Sequence, residues 1–504
     1  MIAHTPALVI VVPLLSALVV VIVGWYNRTY CFPVSVASLG VSLVSSILLL
    51  GRVMQEKLVI YTLAGWAPPM GIEYRIDTLS GLVLVVVTAV GFLNLIGNKP
   101  AVDREFGTKA PAFYALYILF VAGLVGMVAT GDAFNLYVLL EIASLTGYAL
   151  LGLGSPRSAL SALNYLFMGT IGASFYLLGV GYLYLQTGTL NMADIARFIP
   201  HVAGSGTVLL ALIVCLTGLF LKMALFPLHG WLPNAYAHAP NPAIGVVAAL
   251  TTKVSIYVMV RVVLYVFTPD YVFAFPALQK AIVWVAVIAI FMGGILALSQ
   301  TRIKQMLTYI IIAEVGYMVG GFWLGNRLGM TGSILHIVND AAMTLAAFMG
   351  AGLIAYQLET DRYDGLQGLF KKMPYTMIGI VIAGMSMIGV PPTCGFFSKW
   401  YLISGGIAAG HYLFVAVLLF SSLVNAVLFF RIFEIAHYEP FDDGNHGHGG
   451  GHGHGGTAVP MAEAPVSMVA VFLMVSAGLV ILGLFSGTLV EHLITFAIPA
   501  QIGS

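Results

Sequence analysis

Six ionisable side chains stand inside stretches of sequence that are otherwise apolar: Glu141, Lys222, Lys253, Glu314, Asp340 and Lys399. On the insertion scale a charge at the centre of a membrane helix costs about 2.5–3.5 kcal/mol, so six facing lipid would cost roughly 15–21 kcal/mol, more than the net stability of a typical fold. They must face one another. Three are acids and three are amines, so the set can neutralise itself along a polar, hydrated line through a bundle interior. An amine that approaches and leaves a carboxylate takes up and releases a proton, a role open to Lys and closed to Arg, which stays charged. His336, four residues before Asp340, lies on the same helix face and adds a group that titrates near neutral pH. A structural ion pair would account for any one of these residues; the six together point to proton movement.

The elements that hold these groups are membrane helices. Of 504 residues, 60% are hydrophobic and only 8% charged, which excludes a water-soluble globule. A net charge of +1 excludes a basic field for nucleic acid. Apolar runs of spanning length occur over residues 6–24, 32–51, 78–98, 111–130, 133–153, 158–187, 206–236, 242–267, 277–299, 302–324, 329–357, 375–404, 410–435 and 465–490. The expected fold is thus an all-α polytopic membrane protein of about fourteen transmembrane helices. Glu141 follows Asp132 by nine positions, ~13 Å along a helix and near the bilayer midplane. Loops after odd-numbered spans hold eleven Lys and Arg against six after even-numbered ones, which puts the odd loops in the cytoplasm and both termini outside.

Two spans are interrupted. Pro227 breaks the seventh, in the run from Lys222 through His229 to Pro233, and Pro391 and Pro392 break the twelfth. Such breaks survive in a membrane only where protein or water meets the freed backbone groups. Each has a Lys nearby and an acid two helices earlier: Lys222 follows Glu141 by 81 positions and Lys399 follows Glu314 by 85. The second set lies five helices after the first, and an odd offset reverses its direction, which predicts two inverted five-helix repeats. The expected organisation is helices 1–3 over 1–110, a first repeat over 111–267, a second over 277–435, a His/Gly-rich cytoplasmic linker over 436–464, and helix 14 with the C-terminus over 465–504. The alternating His and Gly from His446 to His454 read as a solvated linker, with no metal site assigned. Residues Arg52 to Asp77 read as a short surface hairpin. Cys31, Cys215 and Cys394 are too far apart for a cluster, and no nucleotide loop or haem-ligand pair is present, so no cofactor and no catalytic chemistry are expected of this chain. Any redox chemistry belongs to a partner; a small-molecule symporter is the remaining alternative.

The segments Gly131-Asp132-Ala-Phe134-Asn135-Leu-Tyr137-Val-Leu-Leu-Glu141-Ile142, Lys222 to Pro242, Thr252-Lys253-Val-Ser-Ile-Tyr257 and Gly389-Val-Pro-Pro-Thr-Cys-Gly-Phe-Phe-Ser-Lys399-Trp resemble the antiporter-like membrane subunits shared by Mrp-type cation/proton antiporters, respiratory complex I and membrane-bound hydrogenases. The likeness covers roughly residues 75–435 and is strongest to the D-type subunits of the Mrp group. It implies a proton-translocating subunit of a multisubunit complex in a prokaryotic inner membrane, with other membrane subunits as partners, protons as cargo and sodium as a second candidate ion. By resemblance Glu141 tunes Lys222, Lys253 bridges, His336 is the eleventh-helix histidine, and Lys399 ends the second half-channel; His229, Glu314 and Asp340 are additional relay candidates. Where relatives often continue the His336 helix as N-H-A-x-x-K, this chain reads Asn339-Asp340-Ala-Ala-Met-Thr344, so an acid has appeared and a base is missing. No long lateral helix follows the fourteenth span, which disfavours the largest complex I antiporter-like subunit.

Overall fold

Several of the helices start where the sequence supplies a cap. In the computed structural model, which describes residues 4–438, 461–499 and 502, α1 (Thr5–Tyr26) and α2 (Cys31–Glu56) lead into strands β1 (Leu58–Thr62) and β2 (Glu73–Asp77). The strands pair antiparallel from Leu58↔Asp77 to Thr62↔Glu73, the hairpin expected between Arg52 and Asp77. Asp77 caps α3 (Thr78–Gly97) in a reciprocal box with Ser80. A short α4 (Lys99–Phe106) precedes α5 (Ala110–Ala129), and the Asp132 carboxylate caps α6 (Ala133–Gly152) by accepting from the Asn135 amide at 2.7 Å. Ser155 and Ser158 box the start of α7 (Pro156–Thr187), and Asn191 caps the amphipathic α8 (Met192–Val202). Then come α9 (Gly206–Lys222), α10 (Leu232–Ala237), α11 (Asn241–Tyr265), a single turn α12 (Pro269–Val272), α13 (Pro276–Leu298), α14 (Ile303–Trp323) and α15 (Arg327–Leu358). After the turn α16 (Leu369–Lys372) follow α17 (Pro374–Ile388), α18 (Cys394–Ala408), α19 (Tyr412–Tyr438) and α20 (Val466–Leu484). The His/Gly run from His446 to His454 lies outside the described residues.

Twelve of the described helices are long and apolar enough to cross a membrane. The two remaining expected spans are the interrupted ones, α9 with α10 and α17 with α18, so every predicted span has its counterpart. Large apolar side chains such as Leu18, Phe167, Leu423 and Phe430 remain exposed on the outer helices, a surface suited to hydrocarbon. The core sits on α11, α14 and α15, where 94% of the apolar stretch is buried. Those three helices carry Lys253, Glu314, His336 and Asp340.

The two halves share a set of contacts. In the first, the Ala133 amide donates to Leu190 O and the Met192 amide to Gly131 O, both at 2.9 Å; in the second, Ile303 donates to Asp361 O at 2.9 Å and Tyr363 to Thr301 O at 3.1 Å. Each ties the start of a half's second helix to the segment leaving its third, and α7 and α15, those third helices, both run 32 residues. Matching positions lie 170 or 171 apart. On that spacing Glu314 falls at the position of Ser144, one turn beyond Glu141, so the parallel between the two acids holds for helices and not for single residues.

Candidate functional site

Both breaks are met by named donors. Trp231 Nε1 donates to Leu221 O at 3.1 Å, a carbonyl at the end of α9 that also accepts from the Ala224 amide at 3.2 Å, and its ring stacks on Tyr165 with centroids 3.9 Å apart. At the other break Lys399, on α18, turns its ammonium onto the frayed end of α17, donating to Met387 O at 2.7 Å, Ile388 O at 3.1 Å and Ser422 Oγ at 3.1 Å. A cation is favoured there, because helix carbonyls concentrate negative potential at a C-terminus. Asn425 adds a second donor to Met387 O at 3.1 Å. Gly389 makes this approach possible: its φ is +93°, and a Cβ there would stand 3.1 Å from Lys399 Cδ.

Lys222, the last residue of α9, is buried and donates to Ser144 Oγ at 2.7 Å and Tyr148 OH at 3.2 Å, both on α6. Glu141 lies one turn before Ser144 on the same helix, yet among the described residues it forms no ion pair with Lys222 within 4.0 Å, and its Oε1 is buried without a partner. A cavity of about 20 Å³, room for about one water, is lined by Ser144, Lys222, Tyr165, Thr251 and Ser255. It carries the polar surface from Lys222 to the Thr251 and Ser255 face of α11, while Lys253, two positions from each, turns to the opposite face toward α15.

Lys253 holds the most deeply buried ion pair among the described residues. Its Nζ is 3.0 Å from Asp340 Oδ2, with side chains 2% and 0% exposed, and it donates to Thr344 Oγ1 at 3.0 Å and Ala248 O at 3.2 Å. Thr344 in turn donates to Asp340 Oδ1 at 2.9 Å, closing a ring of three side chains across α11 and α15. The two positions at which the chain departs from N-H-A-x-x-K are the two that grip Lys253. His336, one turn before Asp340, shares a hydrogen bond of 2.8 Å between Nδ1 and Ser398 Oγ, next to Lys399, and leaves Nε2 unpartnered. Its ring packs edge-on against Tyr317, whose hydroxyl donates to Ser421 Oγ at 2.6 Å; the Lys399 ammonium lies 5.3 Å from the Tyr317 ring centroid.

The structure therefore gathers Lys253, Glu314, His336, Asp340 and Lys399 on packed neighbouring helices, and leaves Lys222 at the small cavity with Glu141 one turn away from its Ser144 partner on α6. His229 stands apart, in the loop between α9 and α10, half-buried and stacked on Phe226 with centroids 4.9 Å apart. Sequence reasoning missed the hydroxyls that hold the amines, Ser144, Tyr148, Thr344 and Ser422, and the one that holds the His336 imidazole, Ser398. Their signal was faint, single polar residues in apolar helices near a Lys. It also passed over Arg261, buried on α11 and ion-paired with Asp77 at the β2–α3 junction.

Comparison with known proteins accords with this geometry. A family described as NADH:quinone oxidoreductase/Mrp antiporter, TM matches residues 130–425. The chain is 42% identical to the NADH-quinone oxidoreductase subunit N of Desulforudis audaxviator over 506 residues, all of both proteins. It is 31% identical to the D-type subunit of the Na(+)/H(+) antiporter of Alkalihalophilus pseudofirmus over 80% of each. Among solved structures it superposes on a chain of the membrane-bound sulfane sulfur reductase, an archaeal respiratory membrane complex, with TM-score 0.88 at 28% identity over 98% of this chain and 97% of that one. It superposes on a chain of the Mrp complex of a Dietzia species with TM-score 0.87 at 25% identity, covering 99% and 97%. Family match, full-length relative and fold agree: the chain belongs to the NADH:quinone oxidoreductase/Mrp antiporter transmembrane family.

Proposed function

We propose that this chain is a proton-translocating, antiporter-like subunit of a multisubunit complex in a prokaryotic inner membrane, with both termini outside. The observation that carries the reading is the buried Lys253–Asp340 pair at the joint between the two halves, flanked by Lys222 on one side and His336 with Lys399 on the other. Residues 111–267 and 277–435 act as two inverted repeats, each contributing a half-channel whose broken helix carries or receives a lysine. A proton enters from the cytoplasm to Lys222, passes Lys253 and His336 through hydroxyls and water, and leaves near Lys399. Lys222 rests on neutral hydroxyls, so approach of Glu141 would favour the charged amine and retreat would release the proton. Lys222→Ala should abolish cation-dependent proton movement in vesicles while the protein still assembles in the membrane; normal transport in that variant overturns the assignment.

Two assemblies fit such a subunit. The likeness to D-type antiporter subunits supports an Mrp-type sodium/proton antiporter. The higher, end-to-end identity to a quinone oxidoreductase subunit N supports a second reading, the membrane arm of a redox-driven pump. Purifying the complex through a tag on this chain separates them: partners with redox cofactors favour the pump, and a cofactor-free complex catalysing sodium/proton exchange favours the antiporter. Saturable uptake of a small organic substrate by the chain would instead favour a symporter.

A further inference from the structure

Glu314 stands in the middle of α14, 0% exposed, and neither of its carboxyl oxygens has a donor within reach. Its carboxyl lies in hydrogen-bonding contact with that of Asp340. Ionised carboxylates only accept, so two of them in contact repel each other and satisfy nothing, whereas one proton between them makes a strong O–H···O⁻ bond. Asp340 is already engaged as an anion by Lys253 and by the Thr344 hydroxyl. The other charged or titratable groups around Glu314 are committed elsewhere: Lys399 to Met387, Ile388 and Ser422, His336 to Ser398, and Tyr317, one turn further along α14, to Ser421. The Lys253 charge balances one carboxylate, not two.

We infer that Glu314 rests as a neutral carboxylic acid whose hydroxyl donates to Asp340, a proton store that sets the strength of the Lys253–Asp340 pair. The inference rests on the proton-transport reading for its purpose, but not for its chemistry. With the proton in place the three groups sum to zero charge and the two halves are tied through Lys253 and Asp340. When the Glu314 O–H bond breaks and the proton passes to water, two carboxylates compete for one ammonium and the tie loosens. Glu314 is thus a positioning residue for Lys253.

Infrared difference spectroscopy on the full chain in lipid vesicles reads this without any transport measurement. At neutral pH the carbonyl-stretch band of a protonated carboxylic acid is expected, shifting in D2O, shifting again when glutamate alone carries carbon-13, and vanishing in Glu314→Gln. The isotope arm assigns the band to a glutamate, and Glu314→Asp, which keeps a carboxyl but should move the band from the glutamate-labelled to the aspartate-labelled sample, assigns it to this residue should Glu314→Gln misfold. Three results overturn the inference: no such band at neutral pH; a band that responds to labelled aspartate and not glutamate; or a band abolished by adding sodium at fixed pH, which would make the pair a sodium site. Normal transport in Lys222→Ala with the band intact would sink the transport reading and leave this inference standing, whereas loss of transport in Lys222→Ala with no band in the unaltered chain would do the reverse.

Discussion

At the scale of single residues, the chemistry is decided by which partner an amine selects, and Asp340 shows how much of that was readable. A lone Lys253 deep in an apolar helix demands a counter-charge, and the unexpected acid at position 340 was a visible candidate; that Thr344 would close the ring was not, because it depends on how α11 and α15 rotate against each other. Lys222 shows the converse. Glu141 has the charge and the right helix, yet Ser144 and Tyr148, one and two turns further along, hold the ammonium. Spacing along a helix fixes a face to within a turn, and a hydrogen bond is decided within an ångström or so. Removing one partner of a buried pair leaves the other charge uncompensated, so Asp340→Asn should destabilise the protein by as much as ~3–5 kcal/mol. Replacing both, as Lys253→Met with Asp340→Leu, should recover most of that loss while abolishing transport. Thermal unfolding in detergent, run beside a vesicle transport assay, checks both halves of the expectation.

At the scale of elements, the spans were legible because a bilayer imposes length and apolarity on every crossing, and the breaks because Pro227, Pro391 and Pro392 cannot continue a helix. What stitches the breaks was not legible. Trp231 reaches back to Leu221 O, and Lys399 crosses from α18 to the end of α17. Gly389→Ala places a side chain on a left-handed backbone and crowds the Lys399 stem, which should cost about 1–2 kcal/mol from the backbone alone and lower proton flux, seen as a reduced melting temperature and a slower vesicle pH change. Trp231→Phe keeps the stacking on Tyr165 but removes one of the two hydrogen bonds to Leu221 O, the other coming from the Ala224 amide, an expected loss of about 0.5–1.5 kcal/mol in the same melting experiment. The hairpin between Arg52 and Asp77 was readable from Pro68 and Pro69 and from charge mixed with Val, Ile and Tyr; its ion pair with the rest of the chain, through Asp77 and Arg261, was hidden because the two lie far apart in sequence.

At the scale of the whole molecule, the hairpin end is pinned electrostatically. Burial alone would raise the Asp77 carboxyl, but the Arg261 guanidinium and the Ser80 amide and hydroxyl outweigh it and hold the group below the usual carboxylate range. A carboxyl whose folded value is depressed contributes stability above its unfolded value of about 3.9. That contribution shrinks as pH falls below about 4 and is gone once pH passes beneath the folded value. Acid should therefore loosen the junction of β2, α3 and α11 first, and Asp77→Asn, which keeps a good helix cap, should flatten the acid limb of a stability–pH curve followed by melting temperature. The repeat was expected as whole helices five apart; backbone bonds at Gly131 and Thr301 recur at a spacing of 170 residues, but the acids do not share that spacing, since Glu314 matches Ser144 and not Glu141. One detail of the twelfth span reaches furthest. A protonated lysine has three hydrogens to give, and at Lys399 all three are spoken for by Met387, Ile388 and Ser422. An uncharged amine has two. On the proposed transport reading, discharge of Lys399 therefore requires either that the Ser422 hydroxyl turn round and donate to the amine lone pair or that one of the three oxygens be let go, and both changes register at the end of that half-helix.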